Sequence, residues 1–295
     1  LNTNREGIVE KRKILIQLDS DPHPSVFDRV VAIDAGAEEL FSYGGVQPEQ
    51  VRDLVHGAIF TRGSQDLART ALFIGGSNVS AGERLLEEAK KGLLPQFGLS
   101  VSILLDANGA NTTAAAAVRA AARHLDLSQT RALVLGGTGP VGQRVALLLA
   151  RAGSEVRLGS RRQERARGVA EAITSRCAAP IEPVATGTAE ELAAACSERT
   201  LIIAAGAAGV TLLRDARTLC PTLKVAVDLN AVPPPGIEGI EMTDKGVERE
   251  GFLAYGAIGV GSTKMKIHKK AIAQLFESNT QILDAEEVYA LGEGM

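Results

Sequence analysis

Two stretches of this chain hold residue types at spacings that can do chemistry. The first is Gly137-Thr138-Gly139-Pro140-Val141-Gly142, which follows the apolar run Arg131-Ala132-Leu133-Val134-Leu135 and precedes a segment of helical period reaching about Arg151. In G-x-G-x-x-G the first glycine allows a tight turn, the second lets the backbone approach a pyrophosphate, and the third lets helix and strand pack closely. The helix start then offers free N–H groups and the positive end of a dipole to the phosphates. The spacing alone is weak, since any Gly-rich turn could show it. Its strand-loop-helix setting, with Val156-Arg157-Leu158 as the next strand, points to a dinucleotide site. NAD sites commonly place an acid at the end of that next strand for the ribose 2′-hydroxyl. Here the chain reads Gly159-Ser160-Arg161-Arg162, with no carboxylate before Glu164. A hydroxyl and two planar, fixed-charge guanidiniums suit a 2′-phosphate, so NADP is expected, with NAD as the weaker alternative.

The second stretch runs from Gly256 through Gly259 and Gly261 to Ser262-Thr263-Lys264-Met265-Lys266-Ile267-His268. Lys264 and His268 stand four apart and share one helix face, while Lys266 points elsewhere. The helix is expected over Lys264 to Glu277, with an earlier start open, and the preceding glycines would permit close approach by a flat ligand. From the residues alone, a solvated Lys/His surface pair is the better reading.

These stretches need elements to hold them. Apolar runs alternate with segments of helical period, the pattern of parallel sheets covered by helices. Strands are expected at Lys13–Leu18, Ala58–Thr61, Ala71–Ile74, Val101–Leu105, Arg131–Leu135, Val156–Leu158, Leu201–Ala204 and Val225–Asp228. Helices are expected at Ser25–Ile33, Glu49–His56, Ala81–Lys91, Asn111–His124, Gln163–Thr174 and Ala285–Leu291, besides those already named. Two further strand-to-helix junctions carry polar groups where ligands of such sheets bind. Asp19-Ser20-Asp21-Pro22-His23-Pro24-Ser25-Val26-Phe27-Asp28 is one; it also reads as a loop capped by Ser25 with Phe27 in the core. Asp106-Ala107-Asn108-Gly109-Ala110-Asn111-Thr112-Thr113 is the other; a helix cap explains Asn111 or Thr112 but not the whole run.

Composition sets the outer limits. At 295 residues and 45% hydrophobic, the chain can bury two cores and is not a disordered sequence. Thirty-two basic against thirty-five acidic residues leave a net charge of -3, without the basic footprint of a nucleic-acid binder. No apolar run approaches the roughly 20 residues that span a bilayer. Leu1 to Lys13 is polar, so no leader is expected there. Cys177, Cys196 and Cys220 show no metal or disulfide spacing, so a reducing cytoplasm and no metal are expected. Four domain segments follow: an extension over 1–12, a first α/β domain over 13–125, a Rossmann domain over 126–265, and C-terminal helices over 266–295 that can pack back on the first domain.

Taken in order, several motifs resemble the bacterial NADP-dependent methylene-tetrahydromethanopterin dehydrogenases. They are Pro24-Ser25-Val26-Phe27-Asp28, Ile59-Phe60-Thr61-Arg62-Gly63, Asn108 to Ala116, Gly136 to Gly142, Thr243-Asp244-Lys245-Gly246, Lys264 to His268, Leu275-Phe276-Glu277-Ser278 and Asp284-Ala285-Glu286-Glu287. The likeness runs from about Lys13 to the C-terminus. It implies a two-domain α/β fold related to methylene-tetrahydrofolate dehydrogenases, a substrate (pterin) domain followed by an NADP domain, and a cytoplasmic homo-oligomer, a trimer. It places the family's active-site residues on Phe27, Thr113, Lys264 and His268. The sequence departs from the family at His23, where Thr is usual, and at Ser262-Thr263, where a more apolar Gly-Leu pair is usual.

The activity implied is reversible hydride transfer from the methylene carbon of the tetrahydromethanopterin carrier to NADP. Hydride departure leaves a delocalised cation and demands no general base, so positioning of two rings should dominate. An ammonium beside that cation would oppose its formation. Lys264 must therefore stand off the methenyl carbon or be neutral there, with Phe27 walling the pterin and Thr113 and His268 orienting it. The alternatives are a tetrahydrofolate carrier on the same fold, an NADP-sensing protein without turnover, and a shikimate-type dehydrogenase, whose Ser-x-Ser loop has no clear counterpart here.

Overall fold

The computed structural model describes residues 11–295. The extension expected over 1–12 lies outside the described residues except for its last two positions, and so does most of the stretch on which a leader was judged absent. In chain order the described residues form β1 (Ile14–Asp19), α1 (Val26–Asp34), β2 (Glu39–Tyr43), α2 (Pro48–Phe60), β3 (Thr70–Gly75), α3 (Val79–Gly92), β4 (Ser102–Leu105) and α4 (Ala110–Ala122). Then come β5 (Arg131–Leu135), α5 (Pro140–Arg151), β6 (Glu155–Ser160), α6 (Gln163–Cys177), β7 (Ile181–Ala185), α7 (Ala189–Cys196), β8 (Leu201–Ala204), α8 (Ala216–Leu219) and β9 (Val225–Asp228). The chain ends with β10 (Lys245–Arg249), β11 (Phe252–Tyr255), α9 (Ala257–Gln274), β12 (Ile282–Leu283) and α10 (Ala285–Leu291). No described helix is long and apolar enough to cross a membrane.

Two compact units result. One holds the described residues up to Asn108 together with Lys269–Leu283, the other Gly109–His268 together with Asp284–Met295. The first unit has a five-stranded parallel sheet ordered β12-β4-β3-β1-β2. The second has seven strands ordered β10-β11-β9-β8-β5-β6-β7, all parallel except the β10–β11 pair. Strands covered on both faces read as unbroken apolar runs, which is why β3, β5, β8 and β9 were legible. In the second sheet the strand order reverses between β5 and β8, where ligands of such sheets bind.

Several expectations are corrected. Ala58–Thr61 is not a strand but the end of α2, whose buried Val51, Val55, Ala58 and Ile59 repeat at helical spacing. Helix α4, read as part of the first domain, falls in the second unit, where its alanine face packs on α5. Of the C-terminal residues, Lys269–Leu283 belong to the first unit and α10 to the second.

Cys196 and Cys220 lie in the core of the second unit and Cys177 is half-buried. Burial pushes the Cys196 thiol up to about 12, the neighbouring Cys220 adds to this and Arg157 opposes it. Burial raises Cys220 as well. At pH 8 a thiol of that pKa is only about 10⁻⁴ ionised, and the thiolate is the reactive form. Native protein in excess aromatic disulfide reagent at pH 8 should therefore titrate one thiol promptly, Cys177, and three in denaturant. Prompt reaction of two or more in the native state would contradict this packing.

Candidate active site

The crevice at the strand reversal of the second unit is a cleft of about 670 Å³. Gly136, Thr138, Gly139 and Pro140 form one wall. Ser160, Arg161, Arg162, Arg165 and Thr186 close one end, and Ala205, Gly206, Ala207, Val210 and Leu212 the other side. Of the six fingerprint residues, Thr138, Gly139 and Pro140 line the cleft, while Gly137, Val141 and Gly142 stand behind it.

The glycines divide their work differently from the sequence expectation. The left-handed backbone falls on Gly136 (φ 68), one residue before the fingerprint, and not on Gly137. A β-carbon on Gly136 would stand 2.6 Å from Gly206 Cα, so this turn lies against the loop after β8. Gly137 lies against Leu158 of β6 (2.7 Å to Cγ), and Gly142 against Gly136 O (2.6 Å) and Gly137 Cα. Gly142 thus provides the close helix packing expected of the third glycine. Gly139 is the N-cap of α5 in extended conformation, and no side chain caps this helix. Its uncapped start, at Gly139 and Pro140, thus stands at the cleft wall with the positive end of the dipole. Gln143 Nε2 donates to Thr138 O (3.0 Å) and holds the loop.

At the other end of the cleft, Ser160 terminates β6 and Arg162 is the N-cap of α6. Arg161, Arg162 and Arg165 are exposed and make no side-chain hydrogen bond or ion pair with any described residue. Arg165 was missed in the sequence, although it lies one turn past Arg161 and Arg162 on the same helix start. A glycine turn at one wall, an uncapped helix start and three guanidiniums fit a dinucleotide.

Helix α9 begins at Ala257, seven residues before Lys264, so most of the glycine run lies inside it. Gly256 and Gly259 admit backbone, not ligand, while Gly261 faces open space. A β-carbon on Gly256 would collide with Glu241 O and Met242, and one on Gly259 with Asp244 O. Asp244 fixes that supporting turn by accepting from Glu241 N (2.9 Å) and from Arg249 at Nε (3.0 Å) and Nη2 (2.7 Å). Lys264 is half-buried, Lys266 exposed and His268 buried. Lys264 Nζ lies against Gly109, the N-cap of α4, on whose first turns Thr113 sits half-buried. Asn111 is not a cap. Its Nδ2 donates to Asp284 Oδ1 (2.9 Å) and its Oδ1 accepts from Arg144 Nε, tying α4 to α10 and α5.

In the first unit, Phe27 on α1 is 49% exposed, so the reading that placed it in the core fails. The cap reading of Ser25 holds, its Oγ accepting from Asp28 N (3.2 Å). Buried Asp19 organises the loop ahead of it, accepting from Asp21 N (2.8 Å) and Ser25 N (3.3 Å). Burial raises the pKa of Asp19 and the Asp21 charge adds to that, against the lowering effect of the two N–H groups.

The fold and the cleft define a two-unit α/β protein with a Rossmann-type dinucleotide site. The family described as methylene-tetrahydromethanopterin dehydrogenase, N-terminal, matches residues 26–108. A Methylorubrum extorquens protein named bifunctional protein MdtA is 42% identical over 96% of this chain and 99% of its own length. An NAD(P)-dependent methylenetetrahydromethanopterin dehydrogenase of the same organism is 34% identical over 95% of this chain and 97% of its own. Shikimate 5-dehydrogenase from Listeria monocytogenes, solved with shikimate and NAD, shares the fold at a TM-score of 0.58 and 14% identity, over 98% of this chain and 99% of that one. This chain belongs to the methylene-tetrahydromethanopterin dehydrogenase family and is an oxidoreductase, as the resemblance in its motifs implied.

Proposed function

We propose that the chain catalyses reversible hydride transfer from a methylene-tetrahydromethanopterin carrier to NADP, giving the methenyl carrier and NADPH. The observation that carries this reading is the second unit itself. It combines the arginine-ended dinucleotide cleft with Lys264 packed on the helix that bears Thr113. When bound, NADP supplies a nicotinamide ring that takes up the hydride.

The protein's own residues do the rest. The amides at the start of α5 hold the pyrophosphate, and Ser160, Arg161 and Arg162 hold the 2′-phosphate. Thr113 and His268 orient the pterin by hydrogen bonds, and Phe27 walls it. Lys264 donates to the pterin while standing off the methenyl carbon, since an ammonium beside the forming cation would raise the barrier. In this reading the second unit serves NADP and also carries Thr113, Lys264 and His268, the first unit carries Phe27, and the fold is related to the methylene-tetrahydrofolate dehydrogenases. Three free cysteines suit a cytoplasmic setting. Val26, Val30 and Ile33 on α1, with Phe41 and Tyr43 on the edge strand β2, leave an apolar surface on the first unit. A second copy would cover it in a homo-oligomer, for which the family resemblance implies three subunits.

Purified protein, NADP and either methylene-tetrahydromethanopterin or methylene-tetrahydrofolate, followed at 340 nm, tests the reading. Turnover should favour the methanopterin carrier by about tenfold or more in kcat/KM, a difference of about 1.4 kcal/mol. Preference for folate would move the chain to that carrier. Silence with both, despite NADP binding, would leave a binding protein without turnover.

A further inference from the structure

Gly109 itself has no role in the proposed function, although it lies in the same motif as Thr113. It precedes α4 as its N-cap with φ 57 and ψ 27, and Asn108 before it is left-handed as well. No side chain caps the helix. A β-carbon at 109 would stand 2.6 Å from Lys264 Nζ and 3.2 Å from Lys264 Cε, with Thr112 Oγ1 at 3.9 Å. The two nearest of these atoms belong to Lys264, so the end of that side chain takes up the slot that the missing side chain leaves.

We propose that Gly109 is a positioning residue for Lys264. Its bare, left-handed backbone provides the slot that sets the ammonium against the first turn of α4, a turn from Thr113. This rests on the reading of Lys264 as an active-site group. The atoms that a side chain at 109 meets first are the far end of a flexible lysine, so the ammonium must yield, and the left-handed backbone adds a strain that the test has to separate. A shift of about 1 Å in a positioning group can cost on the order of 10²-fold in rate.

The test compares Gly109→Ala with Gly109→Asn. Asparagine tolerates a left-handed backbone far better than alanine, yet both carry a β-carbon. If backbone strain were the whole effect, asparagine would restore activity; if the slot matters, it would not. Steady-state kinetics with the methylene carrier, and NADP affinity by fluorescence titration, are measured for both variants, for Lys264→Met and for the double variant G109N/K264M. Both Gly109 variants should lose about tenfold to a hundredfold in kcat/KM for the carrier with NADP affinity within about twofold. In the Lys264→Met background, Gly109→Asn should cost less than about twofold, since its target is already gone. Gly98→Ala, strained in the same way at φ 68 but with nothing within 4 Å, should leave the kinetics unchanged. A fully active Gly109→Asn beside an impaired Lys264→Met overturns the proposal alone, as do losses that multiply in the double variant. A fully active Lys264→Met overturns it together with the role given to Lys264. Should Gly109→Ala fail to fold, Gly109→Asn still decides.

Discussion

Alanine at Arg161 and Arg162 together should raise the KM for NADP by about 10²-fold and leave the KM for NAD within about threefold. Both side chains stand at the end of β6 with no partner among the described residues, at the far end of a cleft from the glycine turn. A hydrogen bond to a charged group is worth about 1.5–3 kcal/mol net. Exposure and salt argue for the lower end of that range. Two such bonds at about 1.5 kcal/mol give about 3 kcal/mol, or somewhat more than 10²-fold at 1.4 kcal/mol per decade. NAD lacks the phosphate and should not register the loss. Arg165 alone should contribute less, being a turn further into α6. Raising ionic strength should weaken NADP in the native protein and not in the double variant. Equal losses for NAD and NADP would show that the arginines hold the cleft open rather than read a phosphate.

How much of this was legible in the sequence depends on whether a residue's reason was local. Strands β5, β8 and β9 were, because burial on both faces leaves an apolar run. Strand β2 was not. At the edge of its sheet Glu39–Tyr43 has no fully buried residue, so neither an apolar run nor a clean alternation survives. The β10–β11 hairpin escaped for a related reason. Its first strand, Lys-Gly-Val-Glu-Arg, has no fully buried residue, and its turn uses Glu250 and Gly251, both at positive φ, where Asn-Gly or Asp-Gly would have been the recognisable signal. Ala58–Thr61 misled because four residues cannot tell a buried helix end from a strand.

At the site, residue types carried over better than roles. Ser160, Arg161 and Arg162 stand where a strand ends into a cleft, as their spacing indicated. Gly256 and Gly259 looked like room for a ligand, and only the structure shows Glu241 and Asp244 filling that room. Likewise the φ of Gly136 depends on Gly206, seventy positions away, which no local pattern displays. Long-range backbone contact is invisible to spacing.

That contact makes Gly136→Ala the most damaging single methyl in the dinucleotide loop. Alanine in the left-handed region costs about 1–2 kcal/mol. Its β-carbon would also meet Gly206 Cα at 2.6 Å, Gly206 N at 2.7 Å and Ala205 C at 2.9 Å, all backbone atoms with no rotamer to relax into. Overpacking of this kind adds about 1–3 kcal/mol. The turn after β5 and the loop after β8 must part, and they are two walls of the same cleft. Together these costs predict a melting temperature lower by about 5–10 °C in a chain of this size. NADPH affinity, read by fluorescence titration, should fall by at least about 10²-fold, since a wall displaced by about 1 Å loses its amide contacts. Gly139→Ala is the contrasting case. At φ -79 its nearest atoms stand at 3.4 and 3.6 Å, so the fold has room for the methyl and the melting temperature should hold within about 2 °C. It lines the cleft where the pyrophosphate is placed, so affinity should fall all the same. One glycine would then serve the fold and through it the cofactor, the other the cofactor alone. A Gly139→Ala protein with unchanged NADPH affinity would mean that the phosphates do not approach the start of α5, and the cofactor pose proposed here would have to be abandoned.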